Sequence, residues 1–296
     1  MDVFAAFIAP ALAGVFVGVM SGLLGVGGGT IMVPIFRLAF GMSPLASTAT
    51  SLFAIIPTSI SGVVAHTRAK TCVPKLGLAL GVGGAVMSPV GVWLASVSPG
   101  WLVICVAAVV IGFSAFKMFK KAVKCAPAPR AGQADAARTA GPNAAESQTA
   151  CAGAASAHSA APKPVPDQPV LSRKQYLQGA CIGLVAGLAS GYVGVGGGFI
   201  MVPLMLAVLD IPMSLASGTS LIAIMILAIP GVIEQGLLGN IDYLAGIAIV
   251  VGSIPGALVG ARLVRAVPER QLRFIFGGFL LVAAVMLMLN EFGILG

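Results

Sequence analysis

Charge is scarce in this chain. Only 9% of its 296 residues are Asp, Glu, Lys or Arg, where a soluble domain carries about 25%. A surface facing water cannot be covered from that supply. The chain is 58% hydrophobic and its mean hydropathy is +1.04, so the bilayer is the environment its composition fits. Histidine is rarer still, with two residues, His66 and His158. The five cysteines (Cys72, Cys105, Cys125, Cys151 and Cys181) are odd in number and contain no CxxC, which indicates neither a disulfide framework nor a zinc site. Cys105 and Cys181 are expected to pack within helices. No Ser/His/Asp grouping, paired buried carboxylates or metal-spaced His/Cys set occurs. No catalytic residue, metal or cofactor is expected, and the sequence does not read as an enzyme. The net charge of +8 sits in short loops beside apolar runs, not in a basic stripe interleaved with aromatics. That argues against nucleic acid and for membrane orientation.

Long apolar runs are what the chain does have. Leu45–Ala65, Leu76–Ala95, Trp101–Phe116, Ser214–Ile233, Tyr243–Ala261 and Phe274–Leu289 are almost uncharged and approach the ~20 residues that a membrane-crossing helix needs. Val3–Met20 is apolar too. It lacks a basic start, so it reads as a mature helix and not a signal peptide.

The sequence repeats itself. A shift of 169 residues lays Ser21–Pro34 (SGLLGVGGGTIMVP) on Ser190–Pro203 (SGYVGVGGGFIMVP) with 11 of 14 positions identical. The same shift pairs Thr50-Ser51-Leu52 with Thr219-Ser220-Leu221, Gly62-Val63 with Gly231-Val232, Gly91 with Gly260 and Pro99 with Pro268. The organisation expected is a first transmembrane repeat over 1–120, a flexible Ala/Pro-rich linker over 121–172 and a second transmembrane repeat over 173–296. Cys151 and His158 fall in the linker and are expected to be tail residues. Lys117, Lys120, Lys121 and Lys124 on one side of the linker, with Arg173 and Lys174 on the other, place it in the cytoplasm by the positive-inside rule. Arg68, Lys70 and Lys75 mark another cytoplasmic loop, whose counterpart carries Glu234 and Asp242. At the next loop the signature reverses: Arg262, Arg265, Arg270 and Arg273 surround the second-half loop, while the first-half loop at Pro99 is uncharged. Opposite signatures at equivalent loops are what inverted halves would show, with both termini outside. Duplication followed by loop drift is the plainer alternative.

The fold expected is therefore an all-α polytopic membrane protein of two inverted-topology repeats. Each has about three full spans plus a broken or re-entrant Gly-rich helical hairpin. The segments after the glycines, Thr30–Phe40 and Phe199–Leu209, are too short to span and contain Pro34 and Pro203. Three adjacent glycines disfavour continuous helix by ~1 kcal/mol each, and broken backbone at membrane depth must be buried in protein or line a cavity. A helix restarting there aims backbone N–H groups and its positive end inward, which suits an anion. The residues expected to face substrate are Ser21, Gly25, Gly27, Gly28, Gly29, Thr50 and Ser51, with Ser190, Gly194, Gly196, Gly197, Gly198, Thr219 and Ser220 in the second half. Close helix packing is the competing role for the glycines, as Gly252, Gly256 and Gly260 suggest. For Ser47, Thr48, Thr50 and Ser51, and for Ser217, Thr219 and Ser220, back-bonding to the preceding turn competes with donation to substrate. Arg37 either pairs with substrate or snorkels to the interface. Glu234 and His66 lie near helix ends, where solvation at a loop edge competes with a proton-relay role, and Asp210 reads as a helix terminus.

The paired Gly-rich segments, each followed by a Thr-Ser pair in the next helix, resemble the sulfite exporter TauE/SafE family of membrane permeases over Phe4–Phe119 and Tyr176–Asn290. The resemblance implies a transporter of sulfur-containing anions, such as sulfite or sulfonates, in the bacterial cytoplasmic membrane. Its partners would be a small anionic substrate, the bilayer and a coupling proton or ion. An anion channel, or a membrane scaffold or sensor without transport, is the alternative function.

Overall fold

The computed structural model describes residues 3–124, 173–193 and 196–291. Among these the first half supplies α1 (Val3–Leu24), α2 (Gly29–Phe40), α3 (Pro44–Arg68), α4 (Pro74–Val97) and α5 (Gly100–Lys124). The second half supplies α6 (Arg173–Val193), α7 (Gly198–Val208), α8 (Met213–Leu237), α9 (Tyr243–Leu263) and α10 (Glu269–Glu291). No strand occurs among the described residues. Helix α1 runs further than the apolar pattern suggested, through Ser21-Gly22-Leu23-Leu24, because the backbone first turns left-handed at Gly25, with φ 71°. Helix α5 continues to Lys124, so the first four positions assigned to the linker are helical. The rest of the linker, with Cys125, Cys151 and His158, lies outside the described residues.

Local signals explain the boundaries. Ser43 caps α3, accepting from the Ala46 N–H at 3.3 Å, with Pro44 in the first turn. Asp242 caps α9 through the Ala245 N–H at 3.1 Å. Such caps satisfy N–H groups that a helix start leaves without internal partners. Gly41, with φ 61°, closes α2 in the left-handed conformation glycine adopts without penalty.

Among the described residues, four helices are long and apolar enough to cross a membrane: Leu45–Arg68 in α3, Pro74–Leu94 in α4, Met213–Leu237 in α8 and Tyr243–Leu263 in α9. Helices α5 and α10 are comparably long, 25 and 23 residues; α5 carries Lys117, Lys120, Lys121 and Lys124 toward its end, and α10 carries Glu269, Arg270 and Arg273 at its start and Glu291 at its end. Trp93, Phe116, Leu177, Leu237 and Leu244 are exposed on the outside of the bundle, the apolar surface a lipid-facing protein presents. Cys181 also faces outward from α6 and does not pack in the interior.

The halves interlock. Gly14, Gly18 and Gly22 of α1 stand against the backbone of Ile249, Ser253 and Ala257 of α9. Gly183, Gly187 and Gly191 of α6 stand against the backbone of Leu80, Gly84 and Ser88 of α4. Every residue of the second set lies 169 positions from its counterpart in the first. In return Gly252, Gly256 and Gly260 meet Ala11, Val15 and Val19. The first helix of each half is thus seated on the fourth helix of the other, with glycine every fourth residue letting the backbones touch. Helices α3 and α8 cross between these pairs, and Ile55, Met201, Met205, Phe199 and Ile224 fill the interior around them.

Candidate functional site

Each half breaks its first helix at the same place. After Leu24 the chain passes through Gly25, Gly27 and Gly28 at φ 71°, 80° and 79°, values an L side chain rarely adopts, and restarts at Gly29. In the second half Gly196 has φ 84°, Gly197 is right-handed at φ −72°, and the helix restarts at Gly198. Gly194 lies outside the described residues. The restarted helices are short, 12 residues in α2 and 11 in α7, or about 18 Å at 1.5 Å per residue. They cannot cross a bilayer core of about 30 Å.

The two breaks meet. A Cβ on Gly198 would lie 2.6 Å from the Val26 carbonyl oxygen and 2.5 Å from Ile224 Cδ1. A Cβ on Gly27 would lie 2.8 Å from Ile224 Cγ2, and one on Gly196 would lie 3.7 Å from Cδ1 of Ile55, the residue equivalent to Ile224. The segments that sequence reading singled out in each half therefore form one buried junction, bracketed by Ile55 and Ile224. Neither restart is capped by a side chain, so two helix N-termini with uncapped first turns point at the same region.

The hydroxyls divide into two groups. Thr219 donates to Leu215 O at 2.6 Å and accepts from the Val73 N–H at 3.1 Å. Thr50 accepts from the Asp242 N–H at 3.0 Å, the equivalent bond in the other half. These threonines tie α8 to the start of α4 and α3 to the start of α9. Ser51 donates to Thr48 O at 2.8 Å, and Ser220 to Gly25 O at 2.6 Å and Ser217 O at 2.8 Å. Ser220 thereby fastens the first break to α8. Ser47 bonds back to Ser43 O at 2.9 Å. In the second group are Ser21 and Thr30, both buried, whose hydroxyl oxygens have no protein partner. Ser21 packs beside Gly28, and Ser190 beside Gly197. Thr30 is not among the residues expected to face substrate; its counterpart is Phe199, so the repeat does not preserve it. Its place two residues after Gly28, in the first turn of α2, was the signal available.

His66 differs from expectation. It is fully buried, not a solvated helix end, because its ring reaches the Gly22 carbonyl at 2.9 Å. Glu234 is exposed at the end of α8, Arg37 is half-buried in the last turn of α2, and Asp210 lies just past α7 with φ 48°. None of these three is among the groups that meet at the junction.

The threonine ties make a stability prediction. Thr50→Val or Thr219→Val leaves the N–H of Asp242 or Val73 without its acceptor, a cost of about 1–3 kcal/mol. In a ligand-free thermal melt each variant should unfold about 5 °C below the parent, at roughly 2–4 °C per kcal/mol for a chain of this size class. An unchanged melt would mean that water replaces the hydroxyl.

A family model described as Sulfite exporter TauE/SafE matches residues 10–287. The chain is 25% identical over 274 residues to a Bacillus subtilis (strain 168) protein named Probable membrane transporter protein YunE, covering 90% of this chain and 91% of that one. A second B. subtilis protein, Probable membrane transporter protein YdhB, is 25% identical over 257 residues, 86% of this chain and 89% of its own length. A third, Probable membrane transporter protein YjnA, is 24% identical over 290 residues, 93% and 97% respectively. No solved structure matches.

Proposed function

This chain belongs to the sulfite exporter TauE/SafE family of membrane transporters, and on that premise we propose that it carries small sulfur-containing anions, sulfite or an organosulfonate, by alternating access. The observation that carries this reading is the meeting of two uncapped helix starts at one buried junction. Each start supplies partial positive charge from N–H groups without internal partners. Two that converge suit a small oxyanion, which accepts several hydrogen bonds at once. The hydroxyls of Ser21 and Thr30, unpartnered within the protein, add donors beside the first start. No fixed cation is needed; dipoles and hydroxyls hold an anion weakly enough for it to leave again.

The repeats supply the means of movement. The equivalent contacts at the 169-residue offset, with opposite loop charges at equivalent loops, support two halves inserted upside-down about an axis in the membrane plane. Rocking one interlocked pair, α1 with α9 or α4 with α6, against α3 and α8 would open the junction to one side and then the other. The reading places the chain in the bacterial cytoplasmic membrane with the linker inside and both termini outside. It draws energy from an ion gradient or from the substrate's own gradient, since the glycines lack the GK[ST] ending of a nucleotide-binding loop.

Counterflow in proteoliposomes tests the function. Sulfite or sulfoacetate on the far side should accelerate uptake of labelled substrate; ohmic conductance without acceleration would favour a channel, and no flux of either would favour a scaffold. The site has its own test. Ser21→Ala and Thr30→Val remove buried hydroxyls that lack internal partners, so each ligand-free protein should melt no lower, and up to a few degrees higher. The stabilisation given by saturating sulfite, about 2.7 kcal/mol at a hundredfold excess over Kd in the parent, should shrink in each. A ligand shift equal to the parent's in both variants rules these hydroxyls out of the site.

A further inference from the structure

His66 forms a corner that the transport reading leaves unused. Its Nε2 lies 2.9 Å from the Gly22 carbonyl, and a carbonyl only accepts, so Nε2 carries a hydrogen and donates it. That carbonyl is an orphan of the helix end. Ser21 O takes the Gly25 N–H at 2.8 Å. The chain then turns left-handed at Gly25, and Gly22 loses the partner a continuing helix would provide. The imidazole takes that place, three residues before the break.

The other ring nitrogen, Nδ1, lies 2.8 Å from Thr71 Oγ1, and Thr71 Oγ1 lies 3.2 Å from His66's own carbonyl. The Thr71 hydroxyl hydrogen therefore has two acceptors. With a neutral ring it points to Nδ1. With a protonated ring, Nδ1–H donates to the hydroxyl oxygen and the hydroxyl hydrogen turns to the carbonyl. Both states are fully hydrogen-bonded. The corner can take up a proton without stranding a buried polar group, one of the costs of burying a charge.

The equivalent corner of the second half cannot do this. Gln235 and Asn240 stand 169 positions from His66 and Thr71, and Asn240 Nδ2 donates to Gln235 Oε1 at 2.8 Å. The closure is similar but has no titrating group. Gly218 of α8 also packs on the first-half corner: a Cβ there would lie 3.0 Å from both His66 Cβ and Cys72 Cβ. The charged groups on the surrounding segments are Arg68 and Lys70 on the same loop, Lys75 at the start of α4, and Arg265 beyond α9; the neighbouring thiol is Cys72, bonded to Thr67 Oγ1 at 3.4 Å. Helices α1 and α8 bring no ionisable side chain to it. The ring thus sits near these cations and near the C-terminal ends of α1 and α3, whose carbonyls carry partial negative charge. Whether Nδ1 holds a proton depends on how closely the end of α1 is held.

We infer that His66 is the proton-coupling residue of the transport cycle, binding and releasing one proton at Nδ1 as the end of α1, with its Gly25 break, changes position. The step is protonation of a bare Nδ1 from the aqueous side of the α3–α4 loop and its reversal; no other bond changes, and Nε2 keeps its hydrogen on Gly22. The inference rests on the transport reading above, and it makes His66 a positioning residue, since it reaches the site through Gly22.

The chain has two histidines, so His158→Ala in the linker leaves one ring to observe. In protein labelled with nitrogen-15 histidine, Nδ1 of His66 should titrate within the pH range over which the protein stays folded, and isethionate, whose sulfonate charge is constant over that range, should move the midpoint. Isethionate flux in proteoliposomes should change about fivefold across the same range in the parent. It should become nearly flat in His66→Gln, which copies the second-half corner, while Thr71→Val keeps a pH dependence with a displaced midpoint. An Nδ1 that does not titrate, or a His66→Gln protein with the parent's pH profile, overturns the inference. Absence of flux in the parent counts against the transport reading, whereas a silent Nδ1 in an active parent counts against His66, so the two failures are distinguishable.

Discussion

Gly198→Ala is expected to reduce transport more than Gly196→Ala, although backbone conformation alone ranks them the other way. Gly196 sits at φ 84°, where an alanine pays roughly 1–2 kcal/mol in strain. Its Cβ would find only Ile55 Cδ1, at an ordinary 3.7 Å. Gly198 is the first residue of α7, where alanine is conformationally welcome. Its Cβ, however, would stand 2.5 Å from Ile224 Cδ1 and 2.6 Å from the Val26 carbonyl oxygen. The isoleucine tip can swing away; the carbonyl belongs to the opposite break and cannot move without opening the junction. Overpacking of that kind costs about 1–3 kcal/mol. If it falls on the anion-bound state, flux drops by roughly 10- to 100-fold at 1.4 kcal/mol per decade, against a smaller loss for Gly196→Ala. Counterflow at matched protein content measures both. Equal losses would mean that the breaks do not share a site.

That expectation was half legible in the sequence. Triple glycine followed by a segment too short to span announces a broken helix, and duplication announces two of them. What the letters did not specify was how each glycine would be used. Gly28 and Gly197 are equivalent in identical motifs, yet one is at φ 79° and the other at −72°. Glycine tolerates both, so the choice passes to the neighbour. Val17 Cγ1 stands 3.0 Å from a Cβ on Gly28. The equivalent residue in α6 is Ala186, small enough for Gly197 to approach its backbone oxygen, 3.3 Å from such a Cβ. The Thr-Ser pairs were legible as important but not in role. Thr50 and Thr219 bond N–H groups 192 and 146 residues away, partners that no local pattern reveals. His66 looked like a loop edge for the same reason, its partner being 44 residues back in another helix. Local chemistry was readable wherever its cause was local, and became unreadable where the halves interlock.

The interlock carries the second large effect. Gly187→Leu should destabilise the whole bundle, because the Cβ of residue 187 points straight at the backbone O, Cα and C of Gly84. Two backbones that touch cannot yield as a flexible side chain would. The seam between α6 and α4 must separate, and Gly183 and Gly191, which rest on Leu80 and Ser88 along the same line, lose their contacts with it. In a membrane these van der Waals contacts are a main term holding helices together. A cost near the top of the overpacking range, about 3 kcal/mol, lowers the melting temperature by roughly 6–12 °C. Gly18→Leu, the same position in the first half against Ser253, should do the same. Gly112→Leu on α5, where a Cβ would meet nothing within 4 Å, should not. Thermal melts of the three variants in one detergent separate the cases. If Gly18→Leu and Gly187→Leu melt together and well below Gly112→Leu, the glycine seams clamp the halves to each other. If all three melt with the parent, cohesion must come from α3 and α8 crossing at the centre, and the rigid pairs invoked for rocking would lose their basis.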